Sequence, residues 1–496
     1  MISMSSILLS STAIAFFSIP AQSELCYAHS AHNHRRLSEC MHSWKSFKTR
    51  SRPACLQATD DEALSRLKSW MTVCGAELSA LDVGVSHEGL RGVMATEATD
   101  PNLKVALRVP VALALSDDPE EFRETPFGQA VPASEWLRIP VDMRLSLRLL
   151  AEKAKGAESC WKDFISLLPA EYTSARHLSD ACLRQAGSPF VTEQAGLCKA
   201  YLTDMHIELS RLGSQYGAPV PSLEELGWAL DAVHTRSFTV DAGEERGVRR
   251  YLIPFVDMLN HDENCGCGFA YDEDNECFEV RRFGGEPLNA GDQIFLDYGA
   301  KSSEEMLVMY GFVPSTVGEA DAITLGGAYT TEDLAAAPGD EDFRREKVEL
   351  LNLFRYSAPR TFQIAPGNVD PAIVCALRLA LLTPAELESE CAGSWYRAVV
   401  HAPVSDDNEQ RVAQALRRRL QDALEADKSS IEEDEALLLA EGSDLDDAMR
   451  CAVQLRLNRK RLLAELIRIV KSFSGRPRGS NLLDALGEYM PRVRML

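Results

Sequence analysis

The stretch His261-Asp262-Glu263-Asn264-Cys265-Gly266-Cys267 sets an imidazole, two carboxylates and two thiols within seven residues. With Cys277 further along, these residue types at short spacing read first as the donor set of a zinc site. Other short stretches carry different chemistry. FLDYG ends on Tyr298, whose phenol can hydrogen-bond and orient a nucleophile. HTRSF offers Arg236, and a guanidinium can hold a carboxylate by two parallel hydrogen bonds where a lysine cannot. HEGLRGVMA sets Glu88, Gly89 and Leu90 in a glycine-flanked turn, where main chain can approach a ligand closely. Alone, that motif is an ordinary β-turn. A dinucleotide-binding fold requires a strand, GxGxxG and then a helix; GCGFAY does not complete the pattern, and neither does any other stretch.

The elements that must position these residues follow from periodicity. Leu64, Leu67, Trp70, Met71 and Val73 predict an amphipathic helix over 63–80. VGVSHEGLRGVMATEATDPNLKVALRVPVALAL reads as short strands joined by turns. From about Leu145 to Leu230 the period is helical. Short strands return in RYLIPFVDML, ECFEVRRF and DQIFLDYG, the last two separated by the turn signal LNAGD. After about Ala320 the period is helical throughout, with Val412, Leu416, Leu420 and Leu424 spaced by four. Ser430 to Glu433 forms a capping box, a basic-faced helix covers 446–472, and FSGRPRGS is a hinge before a last short helix.

The order HEGLRGVMA, WALDAVHTRSF, RYLIPFVDMLNH, FLDYG, MYGF resembles the SET-domain protein methyltransferases. It is most similar to the branch that includes Rubisco large-subunit lysine methyltransferase and actin-histidine methyltransferase, over roughly 80–480. The resemblance implies an α+β chain with a SET fold of small β-sheets and a pseudoknot over 60–318, preceded by residues 1–59, whose composition reads as a targeting presequence. A helical insertion occupies about 117–230, and an all-α substrate-binding domain covers 319–496. It implies S-adenosylmethionine as cofactor, contacted by Glu88, Gly89, Leu90, Arg236, Asn260, His261, Tyr298 and Phe312. Arg236, Asp257, Tyr271, Tyr298 and Tyr310 are the substrate-side residues, and Tyr298 is the catalytic tyrosine. Some relatives place a basic residue where Val240 stands. Tyr310 favours lysine as the methylated residue, since histidine-specific relatives depart from tyrosine there. Protein-histidine methylation and a catalytically silent SET binding module are the alternatives. With His261 assigned to the cofactor, the three cysteines lack a fourth ligand, and no metal is expected.

Composition bounds the partners. The net charge is -22, yet residues 1–59 carry six basic residues against two acids, so the acidity lies in the body. Such a body repels a phosphate backbone and favours a basic protein over nucleic acid. The expected partner is a protein substrate docked on the C-terminal helices, met by a monomer. Thirteen cysteines without small-domain spacing fit reduced thiols. SILLSSTAIAFFSIPA followed by a Ser-, His- and Arg-rich stretch resembles a two-part plastid presequence; a plain secretory signal competes, and cytoplasm or nucleus are the alternative addresses. No later segment is apolar for long enough to span a bilayer, so no membrane is expected for the mature chain.

Overall fold

The computed structural model describes residues 58–78, 80–86, 91–98, 104–243, 247–283, 288–336, 339–356, 360–395, 402–440, 445–473 and 479–487. The presequence, Glu88, Gly89, Leu90 and most of the FSGRPRGS hinge lie outside them. Helix α1 (Ala58–Val73) opens the described chain and buries Leu64, Leu67 and Met71. Strands β1 (Leu81–Val85) and β2 (Arg91–Ala95) form an antiparallel hairpin whose last register pair is Val85 with Arg91.

Three small sheets make up the first half. The hairpin extends through β10 (Gln293–Leu296) to β7 (Asn260–His261), in the order β1-β2-β10-β7. The β10–β7 pairing is parallel, Phe295 facing Asn260 and Leu296 facing His261. Chain segments 35 residues apart thus lie side by side, which brings FLDYG against LNH. The second sheet is β3 (Val105–Pro110), β9 (Cys277–Arg282) and β8 (Cys267–Asp272); the third is β4 (Leu115–Ser116), β6 (Val248–Leu252) and β5 (Ser237–Asp241). Their inner faces share one core with Val93, Val109, Leu252, Phe255, Phe278 and Leu296, all buried. Each such side chain contributes about 1.5–3 kcal/mol on leaving water.

Between β4 and β5 the chain is helical, the longer pieces being α2 (Val141–Lys155), α3 (Pro189–Tyr216) and α4 (Leu223–Arg236). Helix α4 starts at a complete capping box, Ser222 with Glu225, and delivers Arg236 as its last residue directly into β5. Carboxylates hold this insertion together. Asp142 accepts from His234 (2.8 Å) and from the Tyr201 hydroxyl (2.9 Å). Asp231 takes Arg176, His177 and Ser174.

Helix α5 (Ser303–Tyr310) ends at Gly311, whose φ of +77° is left-handed, and a Cβ there would stand 2.7 Å from Thr173. Only glycine fits that C-cap, so the MYGF turn can bend Tyr310 and Phe312 back toward Tyr298.

The C-terminal region is mainly helical: α6 (Pro371–Ala380), α7 (Asp406–Glu425), α8 (Ile431–Leu439), α9 (Asp447–Phe473) and α10 (Leu482–Leu486). The predicted capping box is present at Ser430 and Glu433, and Val412, Leu416 and Leu420 are buried as the spacing requires. It is not all-α, however. β11 (Ile323–Gly326), β12 (Thr361–Ala365) and β13 (Asn368–Val369) form an antiparallel sheet. Two to five residues with two inward side chains, Phe362 and Ile364, are too few for a period of two to stand out among helices. Helix α9 docks on α5 and the insertion together: Asn458 Nδ2 donates to Pro314 O (2.9 Å) and to Ser303 Oγ (3.2 Å) of α5, while Leu455 packs with Leu307 of α5 and with Cys182 and Val191 of the insertion. Among the described residues no helix is long and apolar enough to cross a membrane.

Candidate active site

Tyr298 follows β10 by two residues, and its position is set from two sides. Its hydroxyl donates to the Leu259 carbonyl at 2.5 Å, and its backbone N–H donates to His261 Nδ1 at 3.1 Å. That second bond requires a lone pair on Nδ1, so the proton of a neutral His261 resides on Nε2. The Leu296 carbonyl 3.3 Å from Nδ1 is then a contact and not a second hydrogen bond. Burial pushes the Tyr298 phenol up to about 12, Arg236 opposing it. At physiological pH this group is a hydrogen-bonding phenol and not a phenolate base.

Asn260 anchors the other strand. Its Nδ2 donates to the Arg91 carbonyl at 2.8 Å, tying β7 to the first residue of β2. Gly92 must be glycine for this to hold, because a Cβ would stand 2.8 Å from Asn260 Nδ2 and 2.3 Å from Gln293 Nε2.

Four rings converge. Tyr298 lies 4.9 Å from Tyr310, 5.1 Å from His261 and 6.5 Å from Phe312, and Phe312 stands 6.3 Å from His261. On one side of Tyr298 opens a cavity of about 440 Å³. Its walls are two strands that each end a sheet, β5 and β8, which contribute Phe238, Val240, Phe269 and Tyr271. Arg236, Asp257, Tyr298 and Tyr310 also line it. Phe238 and Phe269 stack at 4.6 Å across the walls. All five substrate-side residues predicted from sequence thus face one cavity. Asn260, His261 and Phe312 do not line it, and the latter two cluster on Tyr298.

Arg236 and Asp257 form an incomplete pair. Arg236 Nη1 alone donates to both the Asp257 carbonyl (3.0 Å) and Oδ2 (3.1 Å). Arg236 Nε and Asp257 Oδ1 are buried without hydrogen-bond partners. Burial pushes the Asp257 carboxyl up, while Arg236 pulls it down. Burial alone would lower Arg236, but Asp257 and the neighbouring Tyr172 hold it raised and charged. Orphaned buried polar atoms are rare in folded proteins, and this cavity has one on each member of its charged pair. A ligand bearing both a carboxylate and a cation would match them, which is the donor set of an amino-acid-like cofactor beside a basic side chain.

The cysteines do not converge. Cys267 begins β8 and pairs with Arg282, whereas Cys277 begins β9 and pairs with Asp272. Five residues of strand separate them, roughly 17 Å. Among the described residues no group of His, Cys, Asp and Glu is placed to hold a metal. Sequence reasoning did not find the Leu259 and Arg91 carbonyls, because a backbone acceptor has no residue type. Phe238 was within reach, standing next to Arg236 in HTRSF.

A family model for Rubisco LSMT substrate-binding matches residues 338–463. Actin-histidine N-methyltransferase of Canis lupus familiaris is 25% identical over 425 residues, covering 81% of this chain and 68% of its own. The Homo sapiens protein of that name is 24% identical over 423 residues, with 81% and 67% covered. Among solved structures, the SET domain of LSMT bound to lysine and AdoHcy superposes with a TM-score of 0.57 at 21% identity, over 83% of this chain and 92% of that one. Rubisco LSMT bound to AdoMet gives 0.56 at 20% identity, with the same coverage. These likenesses establish the fold, and the parallel crossing of β7 beside β10 is where it sets Tyr298 against His261. The chain therefore shares the fold of the SET domain of LSMT and carries a segment, residues 338–463, that matches the Rubisco LSMT substrate-binding family.

Proposed function

We propose that this protein is an S-adenosylmethionine-dependent protein-lysine N-methyltransferase. The observation that carries the reading is Tyr298, a half-buried protonated phenol between the His261–Phe312 cluster and an aromatic-walled cavity. When bound, the cofactor supplies an electrophilic methyl on a sulfonium. Arg236, Asn260, His261 and Phe312 are the residues proposed to hold it, with Arg236 offering a guanidinium to its carboxylate.

The chain's own residues then orient the amine. A lysine side chain entering between Tyr298, Tyr310 and Tyr271 leaves water for an aromatic channel, which favours its neutral form. The Tyr298 hydroxyl oxygen and the Leu259 carbonyl both offer lone pairs, so the amine's N–H groups can donate to them while its own lone pair points at the methyl. Positioning, and not proton abstraction, is the work of the phenol. The free edges of β5 and β8 suit an extended segment, to which strands add by main-chain hydrogen bonds.

A second reading, protein-histidine methylation, is favoured by the names of the actin-histidine relatives. Tyr310 supports lysine against it. If the plastid address holds, the Rubisco large subunit and an aldolase-like protein are the proposed substrates. Radiolabelled methyl transfer into plastid extract, with Tyr298→Phe alongside, tests activity, and mass spectrometry of the product identifies the residue. Equal silence of both proteins despite cofactor binding would defeat the enzyme reading and leave the silent binding module. A fusion of residues 1–60 to a fluorescent protein tests the address; a cytosolic signal would remove the plastid substrates.

A further inference from the structure

The thiols of HDENCGC take no part in the site above, yet they are built as a pair. Cys265 Sγ lies 3.3 Å from both the nitrogen and the carbonyl oxygen of Cys267, accepting from one and donating to the other. Gly266 between them has a φ of +61°, the left-handed conformation that glycine adopts without penalty. Residues two apart span at most roughly 7 Å when fully extended. The bend here shortens that toward the 4.4–6.8 Å, about, over which a disulfide joins two Cα atoms.

Their chemistry is unequal. The neighbouring Cys265 thiol, with Arg282 facing it in register, holds Cys267 below the ordinary thiol range, and the same pairing pushes Cys265 up. Cys267 is thus the more readily ionised of the two sulfurs. Cys267 is buried, and the partly exposed Cys265 lies beside it. Both are tied to the active site through backbone. The Cys267 carbonyl accepts from Asp297 N (3.4 Å), one residue before Tyr298. Cys265 N donates to Asp262 O (3.3 Å), one residue after His261.

We propose that Cys265 and Cys267 form a reversible disulfide that, once closed, displaces the His261–Tyr298 pair and weakens cofactor binding. The oxidant is a hydroperoxide. The Cys267 thiolate attacks its O–O bond, giving a sulfenic acid and releasing hydroxide or alkoxide. Cys265 Sγ then attacks the sulfenic sulfur, the S–S bond forms, and the displaced hydroxide leaves with the Cys265 proton as water. Two thiols lose two electrons and the peroxide is reduced by two. A ring across a single residue is strained, and strained disulfides are the easily reduced, regulatory ones.

The disulfide stands independently of the proposed function; only its effect on the cofactor rests on that reading. The test treats the full-length protein with hydrogen peroxide and maps it by non-reducing peptide mass spectrometry, measuring S-adenosylhomocysteine binding by calorimetry before and after dithiothreitol. The peptide spanning 265–267 should become about 2 Da lighter and refuse alkylation. Affinity should fall roughly three- to thirtyfold and return on reduction. Cys265→Ser should keep the reduced protein's affinity, form no bond, and leave Cys267 as a sulfenic acid that dimedone traps. Two alkylatable thiols persisting at 265 and 267, while exposed Cys74 is oxidised in the same sample, would overturn the proposal. So would a closed disulfide that leaves affinity unchanged. Failure of the reduced protein to bind the ligand at all would instead count against the methyltransferase reading, with the mass result still deciding the disulfide.

Discussion

Two arginine–carboxylate pairs, one fully buried and one buried at its carboxylate, have the same chemistry and opposite construction. In the C-terminal core Arg378 meets Glu409 through two parallel bonds, Nε to Oε2 at 2.8 Å and Nη2 to Oε1 at 2.6 Å. Nη2 also reaches Asn481 (2.8 Å), and Leu482 N donates to Glu409 (2.7 Å), so one pair clamps α6, α7 and the start of α10. Both side chains are at most 2% exposed. In the cavity, Arg236 contacts Asp257 through a single nitrogen, and each partner keeps an unused buried atom. Burying charge is costly unless its hydrogen-bonding capacity is filled. The first pair fills it within the chain and serves the fold. The second leaves capacity open, as expected where a ligand completes the set.

The contrast sets the size of what each mutation should do. Glu409→Gln has the largest expected effect, a loss of about 3–5 kcal/mol, because it strands a buried guanidinium. Urea unfolding would read it, and a loss below about 1 kcal/mol would show that the clamp is dispensable. Tyr298→Phe should lower methyl transfer roughly a hundredfold while leaving the unfolding midpoint almost unmoved, since it removes a positioning contact and one hydrogen bond. With its phenol at about 12, the wild-type rate should show no alkaline fall from this group below about pH 11.

Asp142 extends the comparison to the insertion, where the groups are again satisfied. Burial would raise its carboxyl, but His234, with help from Arg250 and Tyr201, holds it at about 2, below its ordinary 3.8. A carboxylate depressed in the folded state contributes stability above its unfolded value, and loses it as pH falls through the folded one. Asp142→Asn should therefore cost about 1.5–3 kcal/mol at pH 6 and much less near pH 2. An equal cost at both pH values in thermal melts would remove the ionic explanation. Asp257→Asn is expected to have the smallest effect on stability, below about 2 kcal/mol, because Arg236 keeps the Asp257 carbonyl. Its consequence should fall on substrate KM. Should it destabilise as much as Glu409→Gln, the distinction between the pairs would collapse.

Motifs whose meaning is local were legible. The capping box at Ser430 starts its helix through a side-chain bond to the third following N–H, a rule that involves four consecutive residues. The buried spacing of Val412, Leu416 and Leu420 is likewise a one-helix property. The three C-terminal strands escaped because they are short, two of them joined by a tight turn, and β11 meets β12 only across the 34 residues from 327 to 360. The metal reading of HDENCGC failed for a related reason. Composition counts donors, whereas the β8–β9 register sends Cys267 and Cys277 to opposite ends of one hairpin.

By itself the sequence determined which residues are present to do chemistry and, through the order of its motifs, the family of folds that gathers them. Tertiary structure alone decided that the Leu259 carbonyl receives the Tyr298 hydroxyl, that Tyr298 N–H fixes the His261 tautomer, and that Arg236 and Asp257 remain half satisfied. Those decisions follow from β7 lying parallel to β10 and from α4 emptying into β5. Such contacts join backbone and side chains tens of residues apart, and no pattern along the chain encodes which of the available donors each acceptor will meet.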